Sequence, residues 1–325
     1  MKYLQKLGFT NVEQVFWFDA ETASAEKEIT ENSPFWAGWK QKLQWDEKIT
    51  KDSEVKFRYS ERAPIYKEFG KVVAIAYGRV VGDKLRVKRL HSDDEKQLLE
   101  EFMKDVSTFV NGGMKFLGGF SIGQFDIPFI ELRCRVNGVG VHPFFDTAGL
   151  KSWDIKHITD VQELLRGTSS TSISLQGASA VFGLESPKTL LAGEEVNSLY
   201  WSEDKDRLEK ISTYASKDTL TACNLLCKLL NQPIKELELV GEKEVVVEEL
   251  PLLQRININK QISEKEKEEL KEILGKKKIT KKDREMAFDL VKASLADIDS
   301  NFGAVKNIKQ IDEIINQLKE EFESN

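Results

Sequence analysis

The sequence predicts an α/β fold, a mixed sheet flanked by helices, with a small helical region at the C-terminal end. Short runs rich in β-branched and aromatic residues, such as 14–18, indicate buried strands. Apolar residues recur at spacings of three and four over 207–226, which is typical of a helix. From residue 262 onward the pattern is helical and highly charged. We therefore expect a domain over 1–235, a linker over 236–261 and a helical region over 262–325.

Composition is that of a soluble globular protein. The chain has 325 residues, 40% hydrophobic and 31% charged, which is enough for a large core and more than one domain. The N-terminus lacks an apolar signal core, and no stretch is apolar enough to span a bilayer, so we expect a cytoplasmic protein without a membrane partner. The net charge of −6 argues against tight non-specific binding to duplex nucleic acid.

Two carboxylates follow the first strand. Residues 14–18 are succeeded by Asp19 and Glu21. Alternate residues of an extended chain point to the same side, so both side chains project together near the end of the strand. Mg²⁺ and Mn²⁺ prefer oxygen ligands, and such a pair is a natural half-site for them. The alternative is a solvated strand end.

A third carboxylate follows a glycine-rich turn. A short apolar run over 115–120 leads through this turn to Asp126, where Pro128 predicts the first turn of a helix. Asp126 is then either an N-cap or a metal ligand. The glycines allow the backbone to approach another strand or a substrate.

Tyr214 and Asp218 are four residues apart within the helix predicted over 207–226. They therefore share one helix face. The alternative is an ordinary amphipathic helix with a tyrosine at its polar edge.

Other segments complete the expected fold. Residues 23–68 form an aromatic insert whose tryptophans anchor it to the core or stack on bases. A hairpin is predicted over 71–90 with its turn at Gly82, then a helix over 94–110 and a strand ending at 144–147. The hydroxyl-rich loop 167–175 contacts phosphates or ends in a helix cap at Ser174.

Three helices are predicted near the C-terminal end. They cover residues 263–274, 280–295 and 308–322, and Ser263 with Glu266 forms a capping box at the first. The apolar stripe of the third docks in a small helical unit or receives a partner. The basic run 276–282 contacts a nucleic-acid backbone or is a solvated face.

These three acidic elements, in this order, resemble the exonuclease motifs of the DEDD superfamily of 3′–5′ exonucleases. The Tyr-x-x-x-Asp of the third element, Tyr214 to Asp218, indicates the tyrosine branch. The nearest resemblance is to predicted 3′–5′ exonucleases related to the proofreading domain of family-B DNA polymerases, and segments 59–66 and 175–184 support it. It covers about residues 12–255 and implies a ribonuclease-H-like sheet.

The resemblance implies a two-metal phosphodiester hydrolysis at the 3′ end of single-stranded DNA. Asp19, Glu21 and Asp218 are expected to hold one of two Mg²⁺ or Mn²⁺ ions about 4 Å apart. Asp19 is expected to contact the second ion as well, and Asp126 to act on that ion partly through a metal-bound water. Tyr214 orients the attacking water, since a phenol with its usual pKa near about 10 is a poor base at neutral pH.

The resemblance also implies substrate contacts from Thr22, Phe125 and Ser121. The sequence departs from the family at one place, because such families usually carry His-Asn, or at least Asn, five residues before the second-motif aspartate, which is Asp126 here. Here Phe120 and Ser121 stand there, which bears on substrate preference more than on catalysis.

Two other functions stay open. One is a 3′–5′ exoribonuclease that trims RNA, which differs in how the terminal 2′-hydroxyl is accommodated. The other is a non-catalytic nucleic-acid-binding subunit of a replication complex. Partnership with a replication or repair complex is an expectation for the exonuclease as well.

Overall fold

The computed structural model describes residues 8–9, 11–151, 155–185, 193–240, 263–276, 279–298 and 308–324. The chain divides into two compact units. The first comprises residues 1–187 and 196–246, and the second comprises residues 188–195 and 247–325. The domain boundaries expected from the sequence stay a prediction, because most of the expected linker, from 241 onward, lies outside the described residues.

The described part of the first unit contains a six-stranded sheet in the order β5-β4-β1-β2-β3-β6. Strand β2 runs antiparallel to β1 and β3, whereas β1–β4, β4–β5 and β3–β6 are parallel pairs. This is the mixed, helix-flanked sheet that the sequence predicts, and the fold class is confirmed. The strands are β1 (Val15–Ser24), β2 (Gly70–Val81), β3 (Lys84–His91), β4 (Phe116–Gly119), β5 (Ile158–Asp160) and β6 (Glu236–Leu239).

Helices cover both faces of this sheet. The helices described in the first unit are α1 (Trp36–Asp46), α2 (Asp52–Arg62), α3 (Glu95–Asn111), α4 (Asp126–Val136), α5 (Val161–Arg166), α6 (Leu175–Phe182) and α8 (Arg207–Leu229). Helix α7 (Gly193–Tyr200) contains residues of both units. The predicted hairpin is confirmed, with Gly82 at φ +66° in its turn. The predicted helix over 94–110 is also confirmed, since Asp94 caps α3 through the Gln97 N–H at 3.1 Å.

A hydrophobic layer lies on each face of the sheet, and alternate residues of β1 belong to opposite layers. Phe16 and Phe18 face α3 and α4, together with Phe102 and Ile130. Trp17 faces the opposite side, where it belongs to the same cluster as Ala215 and Ala222 of α8. Trp17, Asp19 and Glu21 alternate along one strand, so the two acids point toward the layer that α8 covers.

Glycine lets β4 approach β1. A Cβ on Gly119 would lie 2.6 Å from the Phe18 carbonyl oxygen and 2.4 Å from a methyl group of Ile122. Any larger residue would therefore push the two strands apart. The glycine-rich turn serves an approach between strands, one of the two possibilities left open by the sequence.

The insert forms its own small core. Trp39 is fully buried and its Nε1 donates to the Val55 carbonyl oxygen at 2.9 Å, while its ring packs edge-on against Tyr59 and Phe69. Trp39 is thus an anchor. Trp45, by contrast, is 67% exposed.

The strand end predicted at 144–147 is wrong. The segment is a turn, in which the N–H groups of Phe145 and Asp146 both donate to the His142 carbonyl oxygen. Phe145 is fully buried and packs on Phe18 and Phe102, which explains the apolar signal. The strand next to β4 is instead the short β5.

In the second unit, α9 (Glu264–Leu274), α10 (Lys281–Ile298) and α11 (Ile308–Ser324) confirm the three predicted helices. The capping box of Ser263 and Glu266 is present. Ile314, Ile315 and Leu318 of α11 pack with Leu274 and Val291, so the apolar stripe is docked in this unit. In the basic run, Lys276 binds Asp283 at 2.7 Å, and residues 277–278 lie outside the described residues.

Among the residues that the structure describes, every helix is too short or too polar to cross a membrane.

Candidate active site

Asp19 and Glu21 lie inside β1, not near its end as expected, because the strand continues to Ser24. They share the face that α8 covers. The pairing of β1 with β2 shifts register between Glu21 and Thr22. Such irregularities reorient side chains at functional sites.

Helix α8 places the third element above these two acids. Its small residues Ala215 and Ala222 are buried against the sheet, and Thr219 Oγ1 lies 3.4 Å from the Ala76 carbonyl oxygen of β2. The alternative of an ordinary amphipathic helix fails at Tyr214, which is 5% exposed and therefore not at a solvated edge.

Three carboxylates meet between β1 and α8. One oxygen each of Asp19, Glu21 and Asp218 lies within 4.8 Å of the others. Burial raises the pKa of Asp19 well above its ordinary value, and the nearby Asp218 charge adds to the rise. Burial also raises the pKa of Glu21, with further repulsion from Asp19, Asp218 and Asp126. Burial and mutual repulsion therefore both disfavour the charged forms of Asp19 and Glu21.

Asp126 approaches the same strand from α4. It is the first residue of that helix, and the N-cap position is Phe125. Asp126 Oδ1 accepts a hydrogen bond from the Ala20 N–H at 3.0 Å, at a point where β1 extends beyond β4. Of the two interpretations left open by the sequence, the cap is excluded. The carboxylate is 4% exposed, and burial followed by repulsion from Asp19 raises its pKa.

Tyr214 lies beside the cluster. Its hydroxyl hydrogen-bonds to Asp218, and burial first, then the charges of Asp218, Glu21 and Asp19, raise its pKa well above the ordinary value. The phenol therefore keeps its proton at neutral pH and can donate a hydrogen bond.

The three expected substrate contacts differ in their surroundings. Thr22 is buried and its hydroxyl donates to the Pro64 carbonyl oxygen at 2.8 Å. The Phe125 ring is partly buried and packs on Phe129 at 5.5 Å between centroids. Ser121 adopts φ +64° in the left-handed region, which asparagine enters more readily than serine. Their roles toward a substrate stay predictions.

Sequence reasoning missed a group that holds α8 in place. Asp19 pairs across the sheet with Ala76, which pairs with Arg89 of β3. The Arg89 side chain is fully buried, and it binds Glu209 at 2.6 Å and the Thr213 hydroxyl. Thr213 directly precedes Tyr214, so Arg89 fixes the turn of α8 that carries the phenol. The sequence did contain a signal for this role: Arg89 follows Val87 by two residues, so it lies on the buried, apolar face of β3, where an arginine needs a partner.

Sequence reasoning also missed Asp160, at the end of β5. Its carboxylate accepts the N–H groups of Ser121 and Gly123 at 2.9 and 3.0 Å, in the loop that leads to Asp126. The short strand Ile158–Asp160 gave too brief a pattern to be found.

The donor set fits a hard divalent cation. Asp19, Glu21 and Asp218 supply only carboxylate oxygens, which Mg²⁺ and Mn²⁺ prefer as ligands. A cation would offset the repulsion that raises the pKa values of Asp19 and Glu21. Asp126 does not belong to this close group. Its carboxylate is bound to the N–H of Ala20, the residue between Asp19 and Glu21 on β1.

The helix-flanked mixed sheet, with acids on its central strand β1, is the α/β architecture that the resemblance to ribonuclease-H-like exonucleases implied. The family described as predicted 3′–5′ exonucleases related to the exonuclease domain of PolB matches residues 65–273, and the chain belongs to this family. The matched range contains Asp126, Tyr214 and Asp218 but begins after Asp19 and Glu21. Those two join the site through the geometry of β1 alone.

Among solved structures, the chain is similar to the family B DNA polymerase from the hyperthermophilic archaeon Pyrobaculum calidifontis. The identity is 15% and the TM-score 0.45, over 67% of this chain and 24% of the polymerase chain. The chain thus spans about a quarter of that polymerase's length, and a likeness at this level bears on neither activity nor partners. No curated protein matches the chain.

Proposed function

We propose that the protein is a metal-dependent 3′–5′ exonuclease that releases nucleotides from the 3′ end of single-stranded DNA. The observation that carries the proposal is the convergence of Asp19 and Glu21 with Asp218, from elements two hundred residues apart in sequence, to within 4.8 Å. Membership in a family of predicted 3′–5′ exonucleases supports the same activity.

Each acid has a proposed task. Asp19, Glu21 and Asp218 would hold one divalent ion, Mg²⁺ or Mn²⁺, and Asp19 with Asp126 would hold a second. Bound in this way, the ions would supply an activated water and stabilise the leaving oxygen of an in-line displacement. The Ala20 N–H holds the Asp126 carboxylate against β1, which fixes its orientation before substrate arrives.

Tyr214 is proposed to orient the attacking water. Because its raised pKa keeps the phenol protonated, the hydroxyl orients the water by hydrogen bonding and does not act as a base. Its contact with Asp218 keeps the hydroxyl directed at the cluster. The proton of the attacking water is left to solvent or to a carboxylate of the cluster.

The proposed substrate is a DNA strand because the family is related to the exonuclease domain of a DNA polymerase. A role in DNA replication or repair, with a partner complex, is part of the same proposal. A cytoplasmic location stays the expectation from the sequence.

Degradation of labelled oligonucleotides tests this function. A 5′-labelled single strand incubated with Mg²⁺ or Mn²⁺ should shorten stepwise from its 3′ end, whereas EDTA should stop the reaction. A circular single strand of the same sequence should stay intact, since an exonuclease needs an end. An RNA strand run beside the DNA decides between the deoxyribonuclease and the exoribonuclease.

Matched variants separate the activity from contamination. Asp19→Asn should abolish the ladder, while Asp146→Asn should leave it unchanged, because Asp146 is 45% exposed in its side chain and pairs with Arg135. Wild-type degradation by Asp19→Asn would refute the assignment. Binding of the single strand without any degradation would favour the non-catalytic subunit.

A further inference from the structure

Asp160 connects the end of β5 to the loop that precedes Asp126. It is 6% exposed, and its carboxylate accepts four backbone N–H groups, three at Oδ1 and one at Oδ2. Two donors, Gln162 at 3.0 Å and Glu163 at 3.4 Å, belong to the first turn of α5. For this helix Asp160 is an ordinary N-cap.

The other two donors belong to a different element. Ser121 N–H donates to Oδ1 at 2.9 Å and Gly123 N–H donates to Oδ2 at 3.0 Å, so the two oxygens divide this loop between them. An N-cap alone requires neither contact. Asp160 therefore holds the start of the loop 121–125 against the end of β5.

This loop holds Asp126 in turn. Ser121 adopts φ +64°, a conformation that costs a non-glycine residue free energy and persists only when neighbours enforce it. Its carbonyl oxygen accepts the N–H groups of Gln124 at 3.2 Å and Phe125 at 3.0 Å. Asp126 follows directly, with its carboxylate on the Ala20 N–H at 3.0 Å.

We propose that Asp160 is a positioning residue for the second acidic element: it holds the loop 121–125 in its strained form and so sets where Asp126 meets β1. The inference rests on the proposed exonuclease function and adds a residue to it. Asp160 lies outside the three-carboxylate cluster and acts through the backbone of the loop. Its charge also adds, after larger causes, to the rise in the pKa of Asp126.

The chemistry of the carboxylate explains why an acid stands there. Burial raises the pKa of Asp160, and the backbone donors oppose that rise. Asparagine would offer one acceptor oxygen and turn an amide group toward a second N–H. Serine can still cap α5 with its hydroxyl, but its single oxygen leaves the Gly123 N–H, which Oδ2 accepts, without that acceptor.

Asp160→Ser separates the two roles of the side chain. Its matched control is Asp94→Ser, which changes another N-cap carboxylate, on α3, away from the loop. We expect Asp160→Ser to lower kcat by about 10- to 100-fold through displacement of Asp126, with little change in KM, whereas Asp94→Ser keeps both constants. Asp160→Ser should lose more thermal stability than Asp94→Ser, because Asp160 is buried and accepts four N–H groups whereas Asp94 is exposed and accepts one.

Hydrogen exchange supplies a readout independent of activity. In Asp160→Ser the amides of residues 121–126 should exchange faster, while those of α8 keep their wild-type protection. A wild-type kcat, or unchanged exchange at 121–126, overturns the inference. So does a loss of protection that extends to α8, because the residue would then be merely structural.

Failure of the proposed function gives a different result. If the wild-type protein degrades no strand, the exonuclease assignment falls, and the exchange data still decide whether Asp160 holds the loop.

Discussion

Asp19 and Glu21 are acids whose charged forms are disfavoured by burial and by neighbouring carboxylates. Both therefore have raised pKa values. A group whose folded-state pKa is raised favours the protonated form in the folded protein, so deprotonation costs stability. The site is therefore costly to the metal-free protein, which is expected of a group of ligands and not of a structural core.

The sign of this cost gives a stability prediction. Above the ordinary carboxyl pKa of about 4, the folded protein binds more protons than the unfolded chain, and its stability falls as pH rises toward the raised pKa values. Asp19→Asn should thus raise Tm in EDTA at pH 7.5, by about 2–4 °C for a gain of about 1 kcal/mol. The difference should shrink near pH 5 and on adding Mg²⁺ to the wild type. A lower Tm for Asp19→Asn under all conditions would contradict it.

Tyr214 gives a kinetic prediction. Tyr214→Phe removes the hydroxyl but keeps the buried ring, so folding should be intact while kcat falls by about 10- to 100-fold, less than in Asp218→Asn. Because the phenol is protonated throughout, the pH–rate profile should keep its shape near neutral pH. If the wild-type rate rose with pH in a limb that Tyr214→Phe lacks, Tyr214 would act as a base.

Between elements, a buried ion pair joins α3 to α4 and the start of β2. Glu95 accepts the Val72 N–H at 2.7 Å and binds Arg133 at 2.6 Å, and the side chains of this pair are 8% and 10% exposed. Since α4 begins at Asp126, this pair holds the helix that carries the second acidic element.

Its removal should be costly. Arg133→Met leaves the Glu95 carboxylate buried without its cation, and we expect a loss of about 3–5 kcal/mol in the free energy of unfolding. Arg135→Met on the same helix breaks pairs that are 47% exposed at the arginine and should cost less than about 1 kcal/mol. Urea denaturation measures both. Equal losses in the two variants would show that burial does not govern this contact.

The sequence predicted the elements with long periodic patterns and missed those set by tertiary contacts. Helix α8 and the β2–β3 hairpin followed from spacing and a glycine turn. The strand end predicted at 144–147 was wrong because its apolar residues suggested a buried strand, whereas Phe145 is fully buried from a turn. The pairing of Asp19, Glu21 and Asp218 was expected, but the roles of Arg89 and Asp160 depend on partners more than thirty residues distant, which no local pattern encodes.

For the whole molecule, the net charge of −6 limits how a strand is held. Affinity for nucleic acid through many phosphate contacts requires a basic surface. We expect the strand to be held mainly at its 3′ end, by the metal site and a few side chains.

Salt dependence of binding tests that expectation. For Asp218→Asn and a labelled single strand, the plot of log K against log salt should have a slope no steeper than about −2, which corresponds to about three phosphate contacts. A duplex of the same sequence should bind more weakly. A slope of about −5 or steeper would require an extended basic track and would contradict the account.

Titration of Mn²⁺ into the protein tests the central claim most directly, that three carboxylates from β1 and α8 form one cation site. Calorimetry near pH 6.5 in buffers of different ionisation enthalpy should show binding with release of protons, because Asp19 and Glu21 have raised pKa values and must deprotonate to bind. Asp218→Asn should lose this binding, while Asp146→Asn should retain it. Equal Mn²⁺ binding and proton release in the wild type and Asp218→Asn would contradict the account.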